Sequence, residues 1–299
     1  MNILTINGLN KSFGTKKVLN GLDMCVPENS IFGFVGKNGS GKTTTMKAVL
    51  GLLRPDSGEI LVANERVAFG QTPTNRHIGY LPDVPEFYSF MTPREYLRLC
   101  GEVTNMRKSD IDARSEELLA LVGLSEERRR IRGFSRGMKQ RLGIAQALLA
   151  DPRLLICDEP TSALDPIGRK EILDVLLSVR ERTTVLFSTH ILSDVERICT
   201  DVALLHNGKI AMQGSVEDIK RTRRAGEITI ETTDDDSARS ILSKFEKVCR
   251  AEQGALVLSG DDNLMLELMT FISQNKLCIR KIEQAEPSLE SLFVEVVNK

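Results

Sequence analysis

The chain has 299 residues, with 40 Lys and Arg against 41 Asp and Glu and 41% hydrophobic side chains. That length carries one large domain or two unequal ones, and the ordinary charge and apolar content excludes a wholly disordered chain. The longest stretch without Asp, Glu, Lys or Arg is the 11 residues Thr183–Ser193, well short of the roughly 20 that span a bilayer. No basic stretch followed by an apolar one opens the chain, so no secretory signal is expected. Cysteines stand singly at 25, 100, 157, 199, 249 and 278 with no CxxC pair. That is the pattern of reduced thiols in an intracellular protein, not of a disulfide framework or a zinc cluster.

Ile3, Leu4 and Ile6 begin a first strand, Val18 to Val26 form a second, and the nearly unbroken apolar run Ile31 to Val35 reads as a buried third. A Gly-rich turn leads into a helix from Lys42 to about Leu53, which Arg54-Pro55-Asp56-Ser57-Gly58 ends. Thr92-Pro93-Arg94-Glu95 combines a capping box with Pro at the first helical position and opens a helix to about Thr104. Helices over Asp110–Val122 and Ser135–Ala150 come next, the latter stopped by Asp151-Pro152. Strand Leu154–Asp158, helix Pro166–Arg182, strand Thr184–Ser188, a short helix to Cys199 and strand Val202–His206 follow. Asn207-Gly208 then turns the chain tightly into Lys209–Met212. Strands alternating with helices of this length predict a parallel sheet wrapped by helices, an α/β fold.

The near-zero net charge hides an asymmetry. Residues 1–226 hold 32 basic and 27 acidic side chains, whereas residues 227–299 hold 8 and 14. The shift predicts a boundary at 226/227, with Arg221 to Gly226 as the seam. Neither part is basic enough to make nucleic acid the expected partner. The tail reads as strand Glu227–Thr233, helix Ser237–Phe245, strands Lys247–Cys249 and Ala255–Leu258, helix Leu264–Ser273 and strand Leu277–Ile282. That βαββαβ order is the ferredoxin-like plan, here followed by a last helix over Pro287–Val297.

Gly36-Lys37-Asn38-Gly39-Ser40-Gly41-Lys42-Thr43 fits G-x-x-x-x-G-K-[ST]. Its glycines let the backbone curl so that successive N–H groups face a phosphate, and the helix behind adds its N-terminal partial charge. Lys42 then places an ammonium on the β- and γ-phosphate oxygens of a nucleotide, and the Thr43 hydroxyl ligates Mg²⁺. Leu154 to Glu159 is an apolar strand ending in two carboxylates. Asp158 would hold Mg²⁺ through water, and Glu159 would serve as base for an attacking water.

At Phe134-Ser135-Arg136-Gly137-Met138-Lys139-Gln140-Arg141 the chain resembles the ATPase subunits of ABC transporters, whose hallmark at a helix start is L-S-G-G-Q. Ser162-Ala163-Leu164-Asp165 resembles that family's D-loop, and Ser188-Thr189-His190 its switch histidine. Phe13, 23 residues before Gly36, stands where the family stacks an aromatic on adenine. The resemblance covers about residues 2–220 and implies a P-loop NTPase cassette over 1–226: a parallel sheet core, an antiparallel β subdomain and a helical subdomain over about 84–150. Residues 227–299 would form an accessory α+β domain.

The resemblance further implies that Phe13 stacks on the adenine, that Gly36 to Thr44 bind phosphates, and that His190 links the γ-phosphate to the water. Ser135 and Gly137 would act in trans on nucleotide held by a second subunit, with Asp165 reporting across that interface. Asp83, in Ile78-Gly79-Tyr80-Leu81-Pro82-Asp83, aligns with the family's metal-touching Gln. A carboxylate serves a hard cation but adds charge and cannot donate a hydrogen bond.

Glu286-Pro287-Ser288-Leu289-Glu290-Ser291-Leu292-Phe293 is similar to the ending of bacterial ABC-2 exporter ATPases, the group that includes antibiotic self-resistance pumps; it also reads as a Pro-first amphipathic helix. The expected function is therefore ATP hydrolysis in a head-to-tail dimer, powering export through a separate transmembrane permease, with the chain peripheral on the cytoplasmic face of the membrane. Its rivals are a soluble ABC-type machine acting on ribosomes or DNA, and a regulatory nucleotide sensor. Other features read as structural: Arg128 to Arg132 as a solvated face, Asp234-Asp235-Asp236 as a helix cap, and His77 and His206 without metal spacing. Tyr88, Phe90, Tyr96 and Leu99 fit either core packing or a docking surface for the membrane subunit.

Overall fold

The structure, a computed structural model, describes the chain apart from residues 71–72, 222–225, 247–248, 253–254, 261, 286–288, 291 and 294–299. It divides into two compact units, Met1–Val216 and Glu217–Lys299.

The first unit begins with β1 (Asn2–Phe13), β2 (Lys16–Pro27), β3 (Ile31–Val35), α1 (Lys42–Val49), β4 (Ser57–Val62), β5 (Glu65–Arg66) and β6 (Ile78–Leu81). It continues through α2 (Pro93–Val103), α3 (Lys108–Leu121), α4 (Arg136–Leu148), β7 (Leu154–Asp158), α5 (Pro166–Ser178) and β8 (Thr184–Thr189). The last elements before the unit boundary are α6 (Leu192–Ile198), β9 (Asp201–His206) and β10 (Lys209–Ser215).

Two sheets organise these elements. One is antiparallel, in the order β2-β1-β4-β5; the other runs β10-β9-β3-β8-β7-β6, parallel from β9 to β6 with β10 antiparallel at its edge. Strands β3, β7 and β8 are buried along their whole length, as a parallel sheet covered on both faces demands. Leu4, Ile6 and Leu22 from the antiparallel sheet share one core with Phe32, Phe34 and Ile156 of the parallel sheet and Met46 of α1. Register decides where the chemistry sits: Val35 pairs with Thr189, and Asp158 with Ser188. The carboxyl ends of three neighbouring strands therefore reach one edge together, where ligands bind in open α/β sheets.

Helix α2 starts as its sequence dictates. Thr92 caps it, the Glu95 carboxylate accepts from the Thr92 N–H in return, and this bond holds the Glu95 carboxyl below its ordinary range. Helix α4 lies against β6 with no space between them. A Cβ at Gly79 would meet the Ala147 carbonyl oxygen at 2.1 Å, and one at Gly143 would meet Leu81 Cδ1 at 2.5 Å. Several helices end earlier than the sequence suggests: α1 stops at Val49, where Gly51 turns left-handed at φ 69°, and α5 stops at Ser178 rather than Arg182.

The second unit opens with α7 (Val216–Arg221), which straddles the boundary. β11 (Gly226–Thr232), α8 (Asp235–Lys244), β12 (Cys249–Glu252), β13 (Ala255–Gly260), α9 (Asp262–Asn275) and β14 (Ile279–Ala285) follow. Their sheet is antiparallel in the order β12-β13-β11-β14, the ferredoxin-like arrangement, and Ile228, Ile230, Ile241, Leu258 and Leu268 close a core of its own. Asp234 caps α8 by accepting from the Ser237 N–H at 2.7 Å, the structural role its sequence suggests. The expected seam at 221–226 and the final helix over 287–297 fall largely outside the described residues, although Leu289 and Leu292 are buried.

Candidate active site

The loop from Gly36 to Gly41 joins β3 to α1 and lies where the strand ends converge. Its glycines are steric necessities. A Cβ at Gly36 would sit 2.6 Å from Ser40 Oγ, and Gly41, at φ 115°, takes a backbone conformation that other residues rarely adopt. The Ser40 hydroxyl is buried without a hydrogen-bond partner, an orphan that suits a loop shaped for an anionic ligand. Asn38, Gly39, Gly41, Lys42, Thr43 and Thr44 line a cavity of about 600 Å³ together with Phe13, Asp83, Glu159 and His190. That volume lies within the range of small-molecule and cofactor sites.

Lys42 is 5% exposed, and its ammonium donates to the Gly36 carbonyl at 2.6 Å. It also lies 3.0 Å from Glu159 Oε1, and Glu159 Oε2 is 2.9 Å from His190 Nδ1. The three side chains form one chain of polar contacts. Glu159 follows β7 directly and holds a left-handed backbone, φ 48°, unusual for a residue with a side chain; its N–H donates to Ser188 Oγ at 3.0 Å. The same hydroxyl donates to Asp158 Oδ1 at 2.6 Å, so Ser188 spans both carboxylate residues. Asp158 is buried behind the cavity, and burial followed by its charge pushes the Tyr80 phenol up to about 12.

Phe13, at the end of β1, leaves 52% of its surface exposed at the cavity mouth, with Lys11 Nζ 5.4 Å from its ring centroid. Asp83 reaches the same cavity but is already engaged: its Oδ1 accepts from Ser162 Oγ at 2.6 Å and from Arg136 Nη2 at 3.4 Å. Ser135, Gly137 and Asp165 do not line this cavity. Ser135 caps α4 and Asp165 caps α5, each accepting an N–H from its own first turn. Among the described residues no group of three or more His, Cys, Asp or Glu has metal-holding geometry. Lys16 and Val18, which line the cavity, and Ser188, Arg136 and Ser162, which bond to residues at it, have no site role in the sequence reading. Their contacts follow from strand register and helix placement, which no local pattern carries.

A buried lysine, a carboxylate and a glycine-built cradle with an orphaned hydroxyl on one sheet edge can hold an anionic ligand such as a phosphate. Residues 19–162 match the ABC transporter family, and residues 214–297 match the C-terminal domain of DrrA1-3-like ATP-binding proteins. The ABC transporter ATP-binding protein YxlF of Bacillus subtilis (strain 168) is 37% identical over 99% of this chain and 100% of its own length. The chain belongs to the ABC transporter ATP-binding proteins.

As an ABC transporter ATP-binding subunit it is an ATPase that serves transport. The bacitracin transport ATP-binding protein BcrA of Bacillus licheniformis is 35% identical over 99% of the chain and 97% of its own length. A solved ATP-binding subunit of an ABC transporter, 32% identical, overlays 74% of the chain and 92% of itself with a TM-score of 0.65. Such subunits work with membrane permease components, and no helix among the described residues is long and apolar enough to cross a membrane.

Proposed function

We propose that this subunit hydrolyses ATP between two copies arranged head to tail and thereby drives export through a separate permease at the cytoplasmic face of the membrane. The observation that carries the reading is the Lys42–Glu159–His190 chain beside the glycine-rich loop, in a cavity that Ser135 and Gly137 do not line. In the free chain Lys42 neutralises Glu159. An arriving triphosphate competes for that ammonium, and as Lys42 moves to the phosphate oxygens Glu159 is freed to accept a proton. Water then attacks the γ-phosphorus while the bond to the β-phosphate oxygen breaks, giving ADP and phosphate, and His190 steadies Glu159 and the water.

Phe13 offers its exposed face to the adenine, and the Gly36 to Thr44 backbone takes the phosphates. Thr43 and Asp158 supply hard oxygen donors for Mg²⁺, with Asp83 at the rim; so few protein ligands fit an ion that keeps waters and phosphates in its shell. Mg²⁺, when bound, would offset phosphate charge. Ser135 and Gly137, on the N-terminus of α4, would complete the site of the second copy, with Asp165 at the same interface. The assignment of 1–226 as the cassette and 227–299 as an accessory domain belongs to the same proposal. Export, as against import, rests on the similarity of the 286–293 sequence to that of bacterial ABC-2 exporter ATPases.

The test is purification of the tagged chain from its own cells in mild detergent. A multi-span membrane protein recovered in stoichiometric amount, stimulating ATP turnover, is the expected outcome. Recovery as a free species, or with ribosomes or nucleic acid, would contradict it.

A further inference from the structure

Helix α4 grips Asp83 at two points. Arg136, Gln140, Gly143 and Ala147 recur at helical spacing and share one face. The Gly143 and Ala147 end is pressed onto β6 at Leu81 and Gly79. At the other end Gln140, 0% exposed, donates from Nε2 to the Asp83 carbonyl at 2.7 Å. One turn earlier, Arg136 Nη2 donates to Ser162 Oγ at 3.0 Å and to Asp83 Oδ1 at 3.4 Å, while the Ser162 hydroxyl donates to that same oxygen at 2.6 Å. Guanidinium, hydroxyl and carboxylate form a closed triangle. It ties together the start of α4, the segment after β6 and the turn that follows Glu159.

Asp83 and Ser162 line the cavity that holds Lys42 and Glu159. A carboxylate left unpaired at that rim would repel the phosphates of an incoming nucleotide. We propose that Arg136 is a positioning residue that, with Ser162, neutralises Asp83 and latches the turn after Glu159 to the start of α4 before ATP binds. The inference rests on the nucleotide reading of the same cavity. Because the Arg136 and Asp83 side chains are 44% and 48% exposed, the pairing is solvent-screened and its effect is modest.

Binding of a ribose-labelled fluorescent ATP to the full chain tests this without requiring hydrolysis. Arg136→Gly should weaken binding about fivefold at low salt, and high salt should shrink the difference. Arg136→Lys should keep most of the affinity. Measured without Mg²⁺, so that no metal ligand is lost, the double variant Asp83→Gln with Arg136→Gly should return to within about twofold of the parent, since the charge and its partner leave together. Hydrogen exchange at the amides of 137–140 and 162–164 should speed up in nucleotide-free Arg136→Gly. Equal weakening in the single and double variants, or unchanged binding and exchange in Arg136→Gly, would overturn the latch while leaving the nucleotide site intact. A parent chain that binds no ATP would sink the nucleotide reading and the latch with it.

Discussion

At the scale of a single residue, the proposed mechanism turns on Glu159. Its carboxylate sits between a buried ammonium and an imidazole, on a backbone that few non-glycine residues adopt. Replacing it with Gln keeps the shape and removes the proton acceptor. Turnover of Glu159→Gln should fall by about 10²–10⁴ while ATP affinity holds or rises, since no carboxylate then competes for the Lys42 ammonium, measured by phosphate release and nucleotide binding on one preparation. Turnover near that of the parent would show that another group takes the proton. Sequence spacing alone points to Lys42, Asp158 and Glu159, because the phosphate loop and the carboxylate strand are local patterns. The Ser188 hydroxyl that holds Asp158 and the Glu159 N–H is not legible there, since it depends on the pairing of Asp158 with Ser188 across β7 and β8.

At the scale of elements, α4 against β6 is the contact that positions the rim of the site. Gly79 faces the Ala147 carbonyl so closely that Gly79→Ala must push the helix or strand aside, costing about 1–3 kcal/mol in a denaturant melt. An unchanged midpoint would mean that the helix stands off the strand. The sequence gives little warning of this contact. Ile78–Leu81 is only four residues long and contains a glycine, and Ser57–Val62 begins inside a run of turn residues. Neither has enough periodicity to declare itself a strand; each becomes one by pairing with a neighbour, β6 with β7 and β4 with β1. The wholly buried strands β3 and β7 and the capped helix α2 carry their own signals and match their expected positions. The ferredoxin-like tail was legible from element order alone, because βαββαβ leaves few ways to pair the strands.

At the scale of the molecule, the cavity of one chain is lined by Lys42, Glu159 and His190 but not by Ser135 or Gly137, at the start of α4. In the proposed head-to-tail arrangement the sites are completed only when two copies meet, so nucleotide binding and association would be linked and each would strengthen the other. A two-fold arrangement forms both sites together. Blocking the proton acceptor should hold the closed pair, since ATP remains as the bridge. The most direct measurement is light scattering of Glu159→Gln with ATP and Mg²⁺, followed by analysis of the bound nucleotide. The expected result is a particle of twice 33.2 kDa that retains intact ATP and reverts to the single chain when ATP is removed. A chain that binds ATP yet stays at 33.2 kDa at every concentration would contradict it.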